Sequence, residues 1–170
     1  YQEGLSSTSG YNKLYVKENG TGIYGYQTDI FNVGDIELTE KNSIGIIAED
    51  SDATNNNLKS IIINDSDSVG IYSILKNTVP LQSVNNNGEI KVSGDKSIGI
   101  YGNTLDSTGT SLGTIEINNN SSVILGNASN INNATIGIYG TEGTKINTIG
   151  GSTIVGGNNT VGVYSNNGEI

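Results

Sequence analysis

Five of the nine tyrosines stand in one recurring context. Tyr24, Tyr72, Tyr101, Tyr139 and Tyr164 each lie two residues after a glycine and directly after a β-branched aliphatic residue, as in Gly99-Ile100-Tyr101 and Gly162-Val163-Tyr164. Tyrosine joins an apolar ring to a hydroxyl. A column of such rings beside glycines therefore has the chemistry of a sugar-binding platform, and these five are the candidate ligand-binding residues. The same column has an architectural reading, in which the rings shield backbone and cover the glycines. Its recurrence along the whole chain favours architecture over a discrete site.

The remaining polar chemistry is sparse. Asp50 and Asp52, and Asp65 and Asp67, carry oxygen ligands of the kind calcium takes. Solvated turns account for such pairs more simply, and the Gly-Gly and Asp-rich nonapeptide calcium repeat is absent. Enzymes that cleave polysaccharides need paired acids at a set separation, or a base poised to take a proton. The chain has no His and no Arg, and no Asp recurs on consecutive strands. No catalytic residue, metal ligand or cofactor is assigned, and the chain reads as a protein that is not an enzyme. With a net charge of −9 and eight lysines as its only basic side chains, it has no stripe that could displace phosphate counterions, which argues against a nucleic-acid partner.

The elements that would carry these tyrosines are written in the repeat itself. Ser97-Ile98-Gly99-Ile100-Tyr101-Gly102 has near copies at Thr21 to Gly25, Ser43 to Ala48, Ser68 to Ser73, Thr135 to Gly140 and Thr160 to Ser165. Their glycines Gly22, Gly45, Gly70 and Gly99 fall 23, 25 and 29 residues apart, and Gly137 and Gly162 fall 25 apart. A second strand precedes each by a fixed distance: Ile36-Glu37-Leu38, Ile61-Ile62-Ile63, Ile90-Lys91-Val92 and Thr153-Ile154-Val155 begin nine residues before a motif glycine. Alternation within each strand has the period of a pleat and makes no helical stripe. A period in the twenties signals a solenoid, so the fold class is all-β, a parallel β-helix of about 23–29 residues per coil. An apolar fraction of 34% is low for a globular core, but suits coils that each bury a short column against their neighbours.

Alternation assigns the faces. Ile98 and Ile100 point inward with Ile44, Ile46, Val69, Ile71, Ile136, Ile138, Val161 and Val163. Gly99 and Tyr101 point outward with their counterparts, so that the tyrosine rings stack along the axis at the strand spacing of roughly 4.7–4.9 Å. On the preceding strand Ile36, Ile61, Ile90 and Ile115 form one inward column, and Leu38, Ile63, Val92, Ile117 and Val155 another. Tyr26 to Val33 forms a third face with Ile30 inward. The corner glycines Gly34, Gly88, Gly113, Gly151 and Gly168 suit positive φ or close backbone passage. The Asn runs at Asn55 to Asn57, Asn85 to Asn87 and Asn118 to Asn120 can form amide ladders.

Irregular stretches mark expected departures. Residues 1–13 show no clear repeat and read as a leading coil, with the repeats running over residues 14–170. The first coil is one residue short between Leu14 and Gly22. Pro80, the only proline, cannot donate to a ladder and is expected in a loop across Ser73 to Val84. Ile115-Glu116-Ile117 and Ser122 to Gly126 imitate the strand pair, with Ile124 in the place of the glycine. Only 13 residues then reach Gly137, which leaves open a compressed coil or an excursion over Asn127 to Ala134. There is no cysteine, which fits a chain kept unbridged during export, and no apolar run approaches the ~18 residues of a membrane span. The sequence starts without Met and ends in Asn166-Asn167-Gly168-Glu169-Ile170, a repeat of Asn86 to Ile90, so the expectation is a window cut from a longer array.

Taken together, Asn86 to Val92, the turn Ser93-Gly94-Asp95-Lys96 and Ser97 to Gly102 resemble the passenger repeats of the very large monomeric (type Va) autotransporter adhesins of fusobacteria and their relatives, the RadD-like coaggregation adhesins. The resemblance covers most of Leu14 to Ile170 and is weakest over Asn118 to Ala134. It implies a right-handed β-helix held outside the cell, anchored in the outer membrane through a C-terminal barrel that lies beyond this sequence. It also implies a monomer whose partners are surface proteins or glycans of other bacteria or of host cells. Contacts would fall to loops such as Ser73 to Val84 and Asn118 to Ala134. The alternative is a purely structural surface or filament protein.

Overall fold

Runs of β-branched residues broken every few positions by Asn, Asp, Ser and Gly favour short strands and tight turns, and the chain winds accordingly. A computed structural model describes residues 13–148 and 152–170. Each full coil has three strands. The first holds β1 (Lys13–Val16), β2 (Thr21–Tyr26) and β3 (Ile30–Asn32), and the second β4 (Asp35–Leu38), β5 (Ile44–Glu49) and β6 (Ala53–Asn55). Next come β7 (Ser60–Ile63), β8 (Val69–Ile74) and β9 (Val79–Asn86), then β10 (Glu89–Val92), β11 (Ile98–Asn103) and β12 (Gly113–Asn119). A fifth coil holds β13 (Ser122–Leu125), β14 (Thr135–Gly140) and β15 (Thr144–Thr148), and β16 (Thr153–Val155) and β17 (Thr160–Ser165) begin a sixth.

Each strand pairs in parallel with its equivalents in neighbouring coils, giving sheets of six, six and five strands. The first runs β1-β4-β7-β10-β13-β16, the second β2-β5-β8-β11-β14-β17 and the third β3-β6-β9-β12-β15. The chain is thus an all-β parallel solenoid. Its helix among the described residues is one 3₁₀ turn at Ile131–Asn133. Residues 1–12 of the leading segment lie outside the described residues, and Lys13 already pairs with Asp35.

The first sheet fills the core as alternation requires, with Ile36, Ile61 and Ile90 in one buried column and Val16, Leu38, Ile63 and Val92 in the other. In the next coil these columns continue through Val123 and Leu125, because β13 and not Ile115 to Ile117 pairs with β10. Ile115 and Ile117 are buried on the third sheet instead, where Ile117 aligns with Val84 and Ile146. Ile124 therefore occupies an outward position of the first sheet and is no substitute for a motif glycine. In β16 the register puts Ile154 beside Val123 and leaves Val155, expected inside, 50% exposed.

The second sheet departs from strict alternation. Ile46, Ile71, Ile100 and Ile138 are fully buried, but Ile44, Val69, Ile98, Ile136 and Val161 are only partly covered and stay outside the core. The glycines expected outside are buried wherever the coil has a neighbour on each side: in β5, β8, β11 and β14 the glycine and the isoleucine after it are both inaccessible. The strand changes phase at that step. The bare Cα faces the next coil and the aliphatic side chains of the first sheet. A Cβ on Gly99 would meet the Gly137 carbonyl oxygen at 2.6 Å, with Ile90 and Val92 methyls at 3.4 Å.

The corner glycines also differ from expectation. Among the described residues the positive-φ positions are mostly Asn, Asp, Gln, Leu or Lys, including Asn19, Asn42, Asp50, Asp67 and Lys96, whereas Gly88 is needed for close passage: its Cβ would sit 2.3 Å from the Lys59 carbonyl oxygen. Gly113 opens a third-sheet strand, and Gly168 lies beside Glu169, which bridges to Lys145 of that same sheet, so neither shares the corner of Gly88. Gly151 lies outside the described residues. Pro80 is within β9, at a register shift opposite Gly113 to Ile115, a bulge where no ladder donor is required. The coil from Gly99 to Gly137 is neither compressed nor split. It is one full turn of chain with two excursions, 104–112 before β12 and 126–134 after β13.

Candidate functional site

The second sheet presents the tyrosines because they fall on its outer face one residue past the inward aliphatic residue, a buried isoleucine at Ile71, Ile100 and Ile138 and the partly buried Val163 before Tyr164. Tyr72, Tyr101, Tyr139 and Tyr164 are in register. Ring centroids are 5.0 Å apart for Tyr72–Tyr101 and 4.8 Å for Tyr101–Tyr139, with interplanar angles of 23° and 24°. The pair Tyr139–Tyr164 is more tilted, at 5.2 Å and 39°. The expected stack is therefore present over four coils. Tyr24 belongs to the same column, but the rung above it is Ile47, and its hydroxyl donates to Glu49 Oε2 at 3.0 Å.

This geometry determines what a ligand would meet. Interior ring faces are taken up by neighbouring rings, so the ladder presents ring edges and a row of hydroxyls to solvent. Beside it runs the partly exposed aliphatic column of Ile44, Val69, Ile98, Ile136 and Val161. Asn103 donates to the Tyr72 hydroxyl at 3.3 Å. Burial between its neighbours pushes the Tyr101 hydroxyl up to about 12, with the Tyr72 and Tyr139 phenols adding to the shift.

That shift has a testable sign. Because the folded chain holds the Tyr101 proton more tightly than the unfolded chain, the contribution is intact below pH 10.0 and is lost as the pH climbs toward 12. Thermal melting should show a stability decline across this window. Tyr101→Phe, which has nothing to ionise, should reduce its slope; an identical slope in the variant would rule out Tyr101 as the source.

The acidic pairs do structural work. Asp50 Oδ1 accepts from the amides of Lys76 and Asn77 at 2.8 and 3.1 Å, and Asp52 Oδ1 from the Ser83 amide at 2.7 Å, so each ties its turn to the next coil. Asp65 accepts from the adjacent Ser66 amide. No group of three or more His, Cys, Asp or Glu placed to hold a metal ion occurs among the described residues. The excursions are pinned by acids to which the sequence reading gave no role. The Ser129 hydroxyl and amide both bond to Asp95, holding its carboxyl below the usual carboxylate range, with Asn133 assisting. Asp106 accepts from the Thr108 hydroxyl and from the amides of Thr108 and Thr110, which closes the tip of 104–112 and likewise lowers its pKa.

Two polar columns inside the solenoid complete the picture. Asn32, Asn55, Asn86 and Asn119 are fully buried and chained Nδ2 to Oδ1 at 3.0, 2.9 and 2.8 Å. The last donates to the Ser121 carbonyl at 2.9 Å. An outer ladder joins Asn85, Asn118 and Asn147, as the Asn runs suggest. The second column, Ser43, Ser68, Ser97 and Thr135, starts each motif copy; the amides of Ser43 and Ser68 donate to the hydroxyl of the next coil at 3.1 Å. Recurrence of a hydroxyl residue two positions before the motif glycines from Gly45 onward was its signal.

The fold and the ladder together define a parallel β-solenoid with one aromatic face. None of the protein-family models, curated proteins or solved structures compared with the chain matches it.

Proposed function

We propose that the chain is a length of rigid cell-surface rod, a passenger segment of an outer-membrane-anchored autotransporter adhesin that holds contact loops away from the bacterium. The observation that carries this reading is the pairing of continuous parallel stacking in all three sheets with two excursions from adjacent coils, 104–112 in the fourth and 126–134 in the fifth. A solenoid whose coils contact only their neighbours extends without needing a larger core. Loops leave its wall without disturbing the columns, and Ile131, on the 3₁₀ turn, is 63% exposed. The partners are surface proteins or glycans of other bacteria or host cells. Contact falls to 104–112 and not to Ser73 to Val84, most of which is strand.

The second reading is a rod with no receptor, and the tyrosine ladder favours it, since rings that cover each other serve cohesion between coils. The two separate on one experiment. Beads coated with the full chain are presented to a panel of bacterial and epithelial cells, beside a variant in which both excursions are replaced by tight turns. Capture by the full chain and not by the variant, with unchanged β-sheet circular dichroism, supports the adhesin. Failure of both to bind any cell favours the purely structural rod.

A further inference from the structure

We propose that the tyrosine ladder is a site of oxidative cross-linking, at which rings of successive coils couple into dityrosine when the rod meets hydrogen peroxide and a haem peroxidase. Coupling needs two phenoxyl radicals on rings that meet more often than either is quenched. Tyr72, Tyr101 and Tyr139 are held at centroid spacings of 5.0 and 4.8 Å on an outer face, where turning about Cα–Cβ and Cβ–Cγ brings one ortho carbon against the next. Preorganisation of this kind replaces a bimolecular encounter by an intramolecular one.

The chemistry balances. Each phenol gives up one electron and one proton, the two unpaired electrons form one carbon–carbon bond between ortho positions, and the two ring hydrogens move to oxygen as aromaticity returns. Both phenols are regenerated, and one peroxide takes the two electrons and two protons to become two waters. At neutral pH the Tyr101 hydroxyl is protonated, so its electron and proton leave together. The product would tie coils 29 residues apart, Tyr72 to Tyr101, and 38 apart, Tyr101 to Tyr139. Closing such loops restricts the unfolded chain as a disulfide does, and this chain has no cysteine with which to form one.

The test uses the full chain, dilute, with peroxidase and hydrogen peroxide. Dityrosine fluorescence should appear in material that still runs as a monomer on a denaturing gel. Mass spectrometry of the digest should find Tyr72–Tyr101 and Tyr101–Tyr139 links at least about tenfold more often than links through Tyr15 or Tyr26, which are 61% and 47% exposed. Tyr101→Phe keeps the ring and the fold and should abolish both links. Ile47→Tyr, which fills the aliphatic rung of the column, should add a link from position 47 to Tyr72. Links confined to covalent dimers, links spread over Tyr15 and Tyr26 as often as over the ladder, or no dityrosine at all would overturn the proposal.

Discussion

Replacing Gly99 by alanine should destabilise the solenoid by about 3 kcal/mol, the upper range for forcing extra atoms into a packed interior. The new Cβ would stand 2.6 Å from the Gly137 carbonyl oxygen, a distance that real Cβ contacts essentially never show. That oxygen belongs to the backbone of the next coil, so no rotamer change relieves the clash. Either the coil spacing opens, weakening the β11–β14 ladder, or the strand rotates and pulls Ile100 from the core. Gly109→Ala is the matched comparison. Its φ is +83° but nothing lies within 4 Å of the added carbon, so only the left-handed conformation is penalised, at about 1–2 kcal/mol. Equilibrium urea unfolding gives both values, and hydrogen exchange should place the Gly99 damage in the coils of β11 and β14, since stability here is passed between nearest neighbours. A Gly99→Ala loss below that of Gly109→Ala would mean that the glycine column is not closely packed.

The glycine column marks where reading the sequence succeeded and where it failed. The period, the parallel stacking, the inward columns through Ile36 and Leu38 and the outward tyrosines were legible because each depends only on spacing and on a pleat of two. The burial of glycine was not. Alternation assumes one phase through a strand, and here the phase shifts between Gly45 and Ile46 and at the equivalent steps of β8, β11 and β14, so that Ile44 and its counterparts fall outside. A residue without a side chain leaves no hydropathy signal of which way it faces.

The threading of Ile115 to Leu125 failed for a different reason. Ile115-Glu116-Ile117 taken as three residues matches first-sheet strands such as Ile36-Glu37-Leu38 more closely than third-sheet strands such as Ala53-Thr54-Asn55, which drew it to the wrong face. Coil length no longer separates the two faces once two excursions fall within one turn of chain, and the mark that does, an Asn two residues after the inward aliphatic residue as in Val84 with Asn86 and Ile117 with Asn119, reads in the sequence only as a turn signal. Asp95 and Asp106 were equally unreadable as anchors, since their partners are amides and hydroxyls of loops whose paths no periodicity describes. The candidate site fared better than its surroundings: the four stacked tyrosines were all named from the repeat, and the Ile47 interruption is visible in the motif copy Ser43 to Ala48.

Asn86→Ala should cost about 2–6 kcal/mol, because it leaves two buried polar groups without partners at roughly 1–3 kcal/mol each. Asn55 Nδ2 would lose its acceptor and Asn119 Oδ1 its donor, both on side chains with no exposed surface. The gap would open among side chains with no exposed surface, packed so closely under Gly88 that a Cβ there would meet Asn55 Nδ2 at 2.7 Å. Asn118→Ala on the outer ladder removes the same kind of bonds at 3.1 and 3.0 Å where water has access, and should change stability by less than about 1 kcal/mol. Asn86→Asp adds a directional check: an ionised carboxylate cannot donate to Asn119 Oδ1, but a protonated one can. Burial raises the pKa of such a carboxyl, so the variant should be least stable at neutral pH and recover toward wild type as the pH falls through that raised value. Equal losses at positions 86 and 118, or no recovery of Asn86→Asp in acid, would show that the inner ladder is wet and that the coils are held by their aliphatic columns alone.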